Sequence, residues 1–238
     1  MTWSIVAHDP ASGAFGICVA TRAFAVGARV PHIASGVGAI ATQANTNALY
    51  GTRGLRLLTA GVPAADVVRL LTEADAGHDH RQLHVRDAQG RSAAHTGAQC
   101  VPWCGHRIGD GFSVAGNMLA GPQVIEETAK AFAANAALPF PRRLIAALRA
   151  GEAVGGDKRG KQSAALKIYS TEEYPDFDFR VDDHVEPLAE LARLEQVSRE
   201  RFAYARLFSP RHDDPVGLTD FAEITRRVDA LKATDTMS

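Results

Sequence analysis

Four short strand-like runs, at residues 4–7, 15–21, 29–34 and 37–43, follow one another early in the chain with turn-forming residues between them. This succession constrains the N-terminal part of the chain to β-structure. The sequence DPASG at residues 9–13 is a strong turn signal, so the first two runs form a hairpin that fixes the end of the first strand. Gly36 and Gly38 mark a further turn and a backbone approach too close for a side chain. The amide-rich stretch at residues 41–47 then leaves the sheet.

Helical spacing enters at residues 63–74, where Pro63 suits a first turn and Val67, Leu70, Leu71 and Ala74 share one face. Two more strands, at residues 82–87 and 91–95, flank a turn ending in Gly90, and another spans residues 112–118. Pro122 opens a second helix with Glu126 and Glu127 in its first turn, where the helix dipole favours carboxylates. Its apolar stripe is Ile125, Ala129, Phe132 and Ala136, and its partner helix covers residues 141–150 with Gly151 as a stop. A glycine-flanked charged loop, GGDKRG at 155–160, runs into a strand at 163–169, and Phe177, Phe179 and Val181 alternate as an edge strand does. A long amphipathic helix is expected over residues 187–208, then a weaker helical signal and a frayed end.

Runs of strands alternating with runs of helices argue for an α+β fold and against a doubly wound parallel sheet. Two mainly antiparallel sheets facing each other between helix pairs, a four-layer αββα sandwich, would bury both pairs. Residues 1–184 are expected to form this domain, with residues 185–238 as a helical extension packed on it. A chain of 238 residues is long enough to bury roughly 70–75% of its unfolded surface. The 21 glycines, concentrated before residue 161, suit such a β-rich fold.

A formal charge of −1 gives no reason to expect a nucleic acid or an anionic membrane as partner. No apolar run approaches the ~18 residues of a membrane span, and the start carries no signal-peptide pattern. Cys18, Cys100 and Cys104 make an odd number without a disulfide framework, so a reducing cytoplasm is the expected compartment.

The chemistry centres on the first strand. Removal of Met1 would leave Thr2 with a hydroxyl and an α-amine on one residue, a nucleophile and base together. An α-amine with a pKa near ~7.7–8.0 is well placed to take the hydroxyl proton. The competing reading is a β-branched residue that merely opens a strand. Gly116 and Asn117, at a strand end just ahead of a helix, offer a backbone N–H and an amide for an oxyanion. Asp157, Arg159, Gln162 and Ser163 lie in or beside the glycine-flanked loop, which suggests a loop held close to something polar, or else a solvated turn.

These residues coincide with stretches through which the chain resembles the bacterial and archaeal domain-of-unknown-function family 1028. They include TWSIVAHD at 2–9, VATR at 19–22, ATQA at 41–44, AHTG at 94–97, GNMLAG at 116–121, GGDKRGKQSAA at 155–165 and RVDDH at 180–184. The resemblance covers nearly the whole chain up to about residue 200. That family is usually placed among the N-terminal nucleophile (Ntn) hydrolases, which implies an αββα sandwich and amide-bond chemistry at a terminal Thr, Ser or Cys. Carried over by position, Thr2 is the nucleophile, Asp157 and Ser163 orient its amine, and Asn117 belongs to the oxyanion site. The position after the second strand holds Arg22 where comparable members have a lysine. Arg22 and Arg159 are expected to meet a substrate carboxylate. Gln43 and His95 complete the expected substrate-binding set.

Weaker candidates remain. His78, His80 and His84 have spacing that invites a zinc reading, but solvated histidines are the simpler expectation. Cys100 and Cys104 fit a half-buried cluster beside Trp103. Asp182, Asp183 and His184 fit a cap on the trailing helix. The expectation is therefore an Ntn-type amidohydrolase for a small or peptide-like amide, with no cofactor or metal and a possible homodimer. The alternative is a binding or regulatory protein that keeps the sandwich without the chemistry.

Overall fold

The computed structural model describes residues 2–234. Among these residues, ten strands form two antiparallel sheets, and seven α-helices complete a mixed α+β architecture. The larger sheet contains β1 (Thr2–Asp9), β2 (Ala14–Thr21), β7 (Gly105–Gly109), β8 (Phe112–Asn117), β9 (Ser163–Tyr169) and β10 (Phe177–Val181), in the order β10-β9-β2-β1-β8-β7. The smaller contains β3 (Pro31–Ala34), β4 (Gly38–Ala44), β5 (Arg81–Asp87) and β6 (Ser92–Thr96), in the order β3-β4-β5-β6. The β1–β2 turn is closed by Gly13, whose N–H donates to the Asp9 carbonyl from a left-handed conformation.

Strands β1 and β8 face β5, and β2 faces β3 and β4, so the sheets meet face to face. Helices α1 (Leu49–Thr59) and α2 (Ala64–Glu73) pack together on the smaller sheet. Helices α3 (Gln123–Ala134) and α4 (Phe140–Ala153) pack together on the larger. Leu144, Ile145 and Leu148 of α4 are buried, each contributing about 2 kcal/mol of transfer free energy.

The structure differs from the sequence reading in three places. The amide-rich stretch does not leave the sheet at residue 41: residues 41–44 belong to β4, and α1 follows, with Gly51 and Gly54 on its buried face. An added Cβ at Gly51 would lie 2.1 Å from the His32 ring, and one at Gly54 would lie 2.4 Å from Ile40. The glycines thus permit the close approach to the sheet, and packing offsets their poor helix propensity of about 1 kcal/mol each. The edge strand β7 also went unread, because its central residues are exposed and show no apolar alternation. Finally, the trailing helix is interrupted. The helix α5 (Pro187–Ser198) ends where the Ser198 hydroxyl bonds the Glu195 carbonyl, and α6 (Phe202–Ala205) follows after a turn.

The chain divides into two compact units at residues 192 and 193. The first contains both sheets and α1–α4. The second carries α7 (Phe221–Thr234) as its longest helix. The expected frayed end falls on residues 235–238, which lie outside the described residues.

Candidate active site

Strand register sets the site. Thr2 pairs with Asn117 across β1–β8, Trp3 with Ala20 across β1–β2, and Thr21 with Ser163 across β2–β9. Asn117, Thr2, Thr21 and Ser163 therefore stand in one row across four strands, at one end of the larger sheet. Paired residues of a ladder project to the same face, and here that face is turned towards the smaller sheet. The Thr2 hydroxyl bonds the Thr21 hydroxyl at 3.2 Å, and Thr2 is only 7% exposed. Its carbonyl accepts Asn117 Nδ2 at 3.4 Å and lies 3.4 Å from Gln43 Nε2, whose two protons have closer acceptors in Gln82 Oε1 at 2.8 Å and the Ala115 carbonyl at 3.1 Å.

Behind Thr2 runs a polar seam between the sheets, built from Ser4, Gln43, Gln82, His84 and Ser113, all fully buried. Its hydrogen bonds have a defined direction. Gln82 Nε2 donates to the carbonyls of Gly105 and Gly116, at 3.0 and 2.8 Å, which fixes its amide and turns Oε1 inward. Gln43 Nε2 and Asn117 Nδ2 both donate to that Oε1, at 2.8 and 3.0 Å. Gln43 Oε1 then receives the Ser4 hydroxyl at 2.8 Å. Ser4 Oγ has used its single proton, so its 2.8 Å contact with His84 Nε2 requires the imidazole to donate. His84 Nδ1 must accordingly accept from Ser113 Oγ, also at 2.8 Å. Burial and the nearby His106 push the His84 pKa down to about 3, so the ring is neutral.

His84 is thus not a solvated histidine. It orients Ser4 and, through it, the Gln43 amide that lies beside the Thr2 carbonyl, and neither it, Ser4 nor Gln82 was among the residues expected at the site. Gln43, expected to touch substrate, lies inside this seam with no exposed surface. Asn117 shares its amide protons between Gln82 and the Thr2 carbonyl.

The charged loop closes the other side of the row. Asp157 Oδ2 accepts the Arg22 backbone N–H at 2.8 Å, and its Oδ1 accepts the Arg159 N–H at 2.9 Å. The Arg159 guanidinium reaches the same carboxylate at 3.2 Å, and Arg22 Nη1 donates to Gln162 at 2.8 Å. Ser163 Oγ donates to the Ala23 carbonyl at 2.6 Å and accepts the Val26 N–H at 3.1 Å. These bonds of Asp157 and Ser163 fix the chain leaving β2. Gly155 and Gly156, both at positive φ, let the loop lie against residues 118–120 through the bonds Ala120 N–H to Gly156 and Lys158 N–H to Met118. A Cβ on Gly155 would fall 2.6 Å from Ala120 Cβ.

Asn117 also lines a cleft of about 240 Å³, with Ala44, Asn45, His80, Gln99, Cys100, Val101 and Met118. Ala44 and Met118 hold left-handed backbone conformations, with φ of 70° and 53°. A non-glycine residue there costs about 1–2 kcal/mol, and such strain tends to gather at functional sites. His95 lies elsewhere. It pairs with Leu83, on the opposite face of the small sheet from Gln82, and its Nε2 meets the His78 carbonyl at 3.0 Å. Cys100 is buried, Cys104 is partly buried and both are free thiols. The His184 ring accepts the Glu186 N–H at 3.0 Å just before α5. Among the described residues, no group of three or more His, Cys, Asp or Glu is placed to hold a metal ion. Nor is any helix among them long and apolar enough to cross a membrane.

Met1, whose removal the catalytic reading requires, lies outside the described residues.

Residues 2–191 match the profile of a family described as "Family of unknown function (DUF1028)". The fold is similar to the crystal structure of protein SPO2555 from Silicibacter pomeroyi, which carries the same family assignment. That match has a TM-score of 0.85 at 32% identity and covers 92% of this chain and 96% of the other. No curated protein matches the chain.

Proposed function

The chain belongs to the DUF1028 family, a family of unknown function, and on that premise we propose that it is an Ntn-type amidohydrolase acting on a small or peptide-like amide. We read its two facing sheets and two helix pairs as the αββα sandwich of that superfamily. The observation that carries the proposal is the setting of Thr2. It opens a central strand, its carbonyl lies against two buried amides, and its strand partner Asn117 forms part of a cleft wall.

In the proposed reaction, Thr2 Oγ1 attacks the substrate carbonyl and its proton passes to the Thr2 α-amine exposed by loss of Met1. The Asn117 N–H that now meets the Thr2 carbonyl at 3.4 Å, a long contact, turns to the oxyanion. The α-ammonium returns its proton to the leaving nitrogen as the C–N bond breaks. Water then attacks the resulting ester, releasing a carboxylic acid and restoring the Thr2 hydroxyl. Gln43, Ser4 and His84 are positioning residues, and Asp157 and Ser163 act through the chain that follows β2. The exposed guanidiniums of Arg22 and Arg159 converge on the loop of residues 157–162 and are the proposed contacts for a substrate carboxylate.

A second reading, a ligand-binding protein without catalysis, is favoured by one observation: Gln43, Asn117, Asp157 and Ser163 all have partners within the protein. One experiment separates the two. Intact mass and N-terminal sequencing establish whether Thr2 is the terminus, and a small-amide library is then screened against wild type, Thr2→Ala and Thr2→Ser. The hydrolase reading expects a processed terminus, turnover lost by more than ~1,000-fold in Thr2→Ala and partial rescue in Thr2→Ser. Retained Met1 in active protein, or turnover that survives Thr2→Ala, would overturn it.

A further inference from the structure

We infer that the groove between α1 and α2 is a ligand site of its own, suited to a small monocarboxylate with an apolar body. The groove encloses about 520 Å³, within the roughly 300–1,000 Å³ of ordinary small-molecule sites. Leu57, Leu70, Leu71 and Ala74 supply its apolar lining, and Leu70 is left 39% exposed there. Arg53 and Arg56 stand one turn apart on α1 at its mouth. Both are exposed, and neither has an ion-pair or hydrogen-bond partner among the described residues. Arg69 on α2 shows the contrast, because it is paired with both Asp66 and Glu73.

The carboxylate in the lining does not neutralise the two arginines. Asp75 Oδ2 accepts Tyr50 Oη at 2.8 Å, Asn47 Nδ2 at 3.2 Å and Arg81 Nε at 3.1 Å, and Oδ1 accepts the Gly77 N–H at 2.8 Å. Its charge is matched locally by Arg81, which leaves the mouth positive. Arg56, in the last turn of α1, also complements the helix dipole. That role does not extend to Arg53, nor does it account for the exposed Leu70 beside two unpaired guanidiniums. A planar guanidinium pair receives a carboxylate through charge-assisted hydrogen bonds, and the leucines receive an alkyl or aryl chain. The lining residues Asn47, Tyr50, Leu70 and Asp75 are distinct from those of the cleft at Asn117, so the inference does not rest on the hydrolase reading.

The probes are octanoate and its uncharged analogue octanamide, titrated by calorimetry against wild type, Thr2→Ala and the double variant Arg53→Gln/Arg56→Gln. Both arginines are exposed, and circular dichroism and Tm verify that the double variant folds. Expected are saturable 1:1 binding of octanoate to wild type and Thr2→Ala alike, and binding at least ~10-fold weaker for octanamide and for the double variant. Shifts of amide resonances in α1 and α2 upon titration locate the ligand. No saturable binding, equal affinity for octanamide, or unchanged affinity in the double variant would each overturn the assignment. So would self-association that is abolished by the double variant, which would make the groove an interface with a second copy. Loss of binding in Thr2→Ala would place octanoate beside Thr2 instead and equally overturn the assignment.

Discussion

The fully buried imidazole of His84 sits between two serine hydroxyls, which makes its protonation a question of folding stability. Its pKa falls from an ordinary value near 6.5 to about 3, with burial as the largest cause and His106 as the second. In the unfolded chain the ring binds a proton below pH ~6.5, whereas in the folded chain it does not until about pH 3. Folding stability from this group is therefore present above pH 6.5 and lost as the pH drops towards 3, by at most ~1.4 kcal/mol per pH unit. Urea unfolding of wild type and His84→Gln at pH 7, 6 and 5 measures the difference directly. The wild-type stability should fall more steeply, while His84→Gln should be weaker at pH 7 but flatter below it. Equal slopes in the two proteins would rule out a neutral, buried His84. The sequence contained the signal for this seam as Gln82, His84 and Arg86 at every second position of one strand. Period-two polarity reads as a solvent face until a second sheet is known to cover it.

Among the secondary-structure elements, glycine decides where pieces can touch. The end of β6 meets the turn at residues 78–80, which also contributes His80 to the cleft wall. At Gly97 an added Cβ would lie 2.3 Å from the Asp79 carbonyl oxygen and 2.5 Å from that of His78. Both obstacles are backbone, so no rotamer change relieves them. Gly97→Ala is expected to cost about 1–3 kcal/mol, the range for overpacking, read as a lower Tm. Gly36→Ala offers a comparison. Nothing lies within 4 Å of its added Cβ, and only its φ of 66° resists the change, by about 1 kcal/mol. A Gly97→Ala protein no less stable than Gly36→Ala would show that the turn gives way. The same property of glycine concealed α1: its buried face reads Tyr50, Gly51, Gly54, Leu58, and only contact with His32 and Ile40 explains a helix there.

For the molecule as a whole, the order of strands predicts the order of stability. Strands β1 and β2 are paired on both sides, and β1 is buried along its first six residues and β2 throughout. At the edges, β7 and β10 have partners on one side only and carry exposed residues. Hydrogen exchange should therefore be slowest in β1 and β2, approaching the global unfolding limit, and fastest in β7 and β10. Protection of β7 equal to that of β1 would contradict this hierarchy and indicate that another surface covers the edge.

The sequence alone determined the strands that begin and end with recognisable turns and the α+β class, and it marked Thr2, Asn117 and the charged loop at 155–160 as candidates. Those features are local, since alternation, proline and glycine placement and charge bias act within a few residues. Three things waited for the tertiary structure. The register put Asn117, Thr2, Thr21 and Ser163 into one row, because pairing is fixed by contacts between strands far apart in sequence. The covering sheet turned Ser4, Gln43, Gln82 and His84 from an outward face into a closed hydrogen-bonded seam, because removal from water obliges each polar atom to find a partner. The same packing moved His95 to the far face of its sheet.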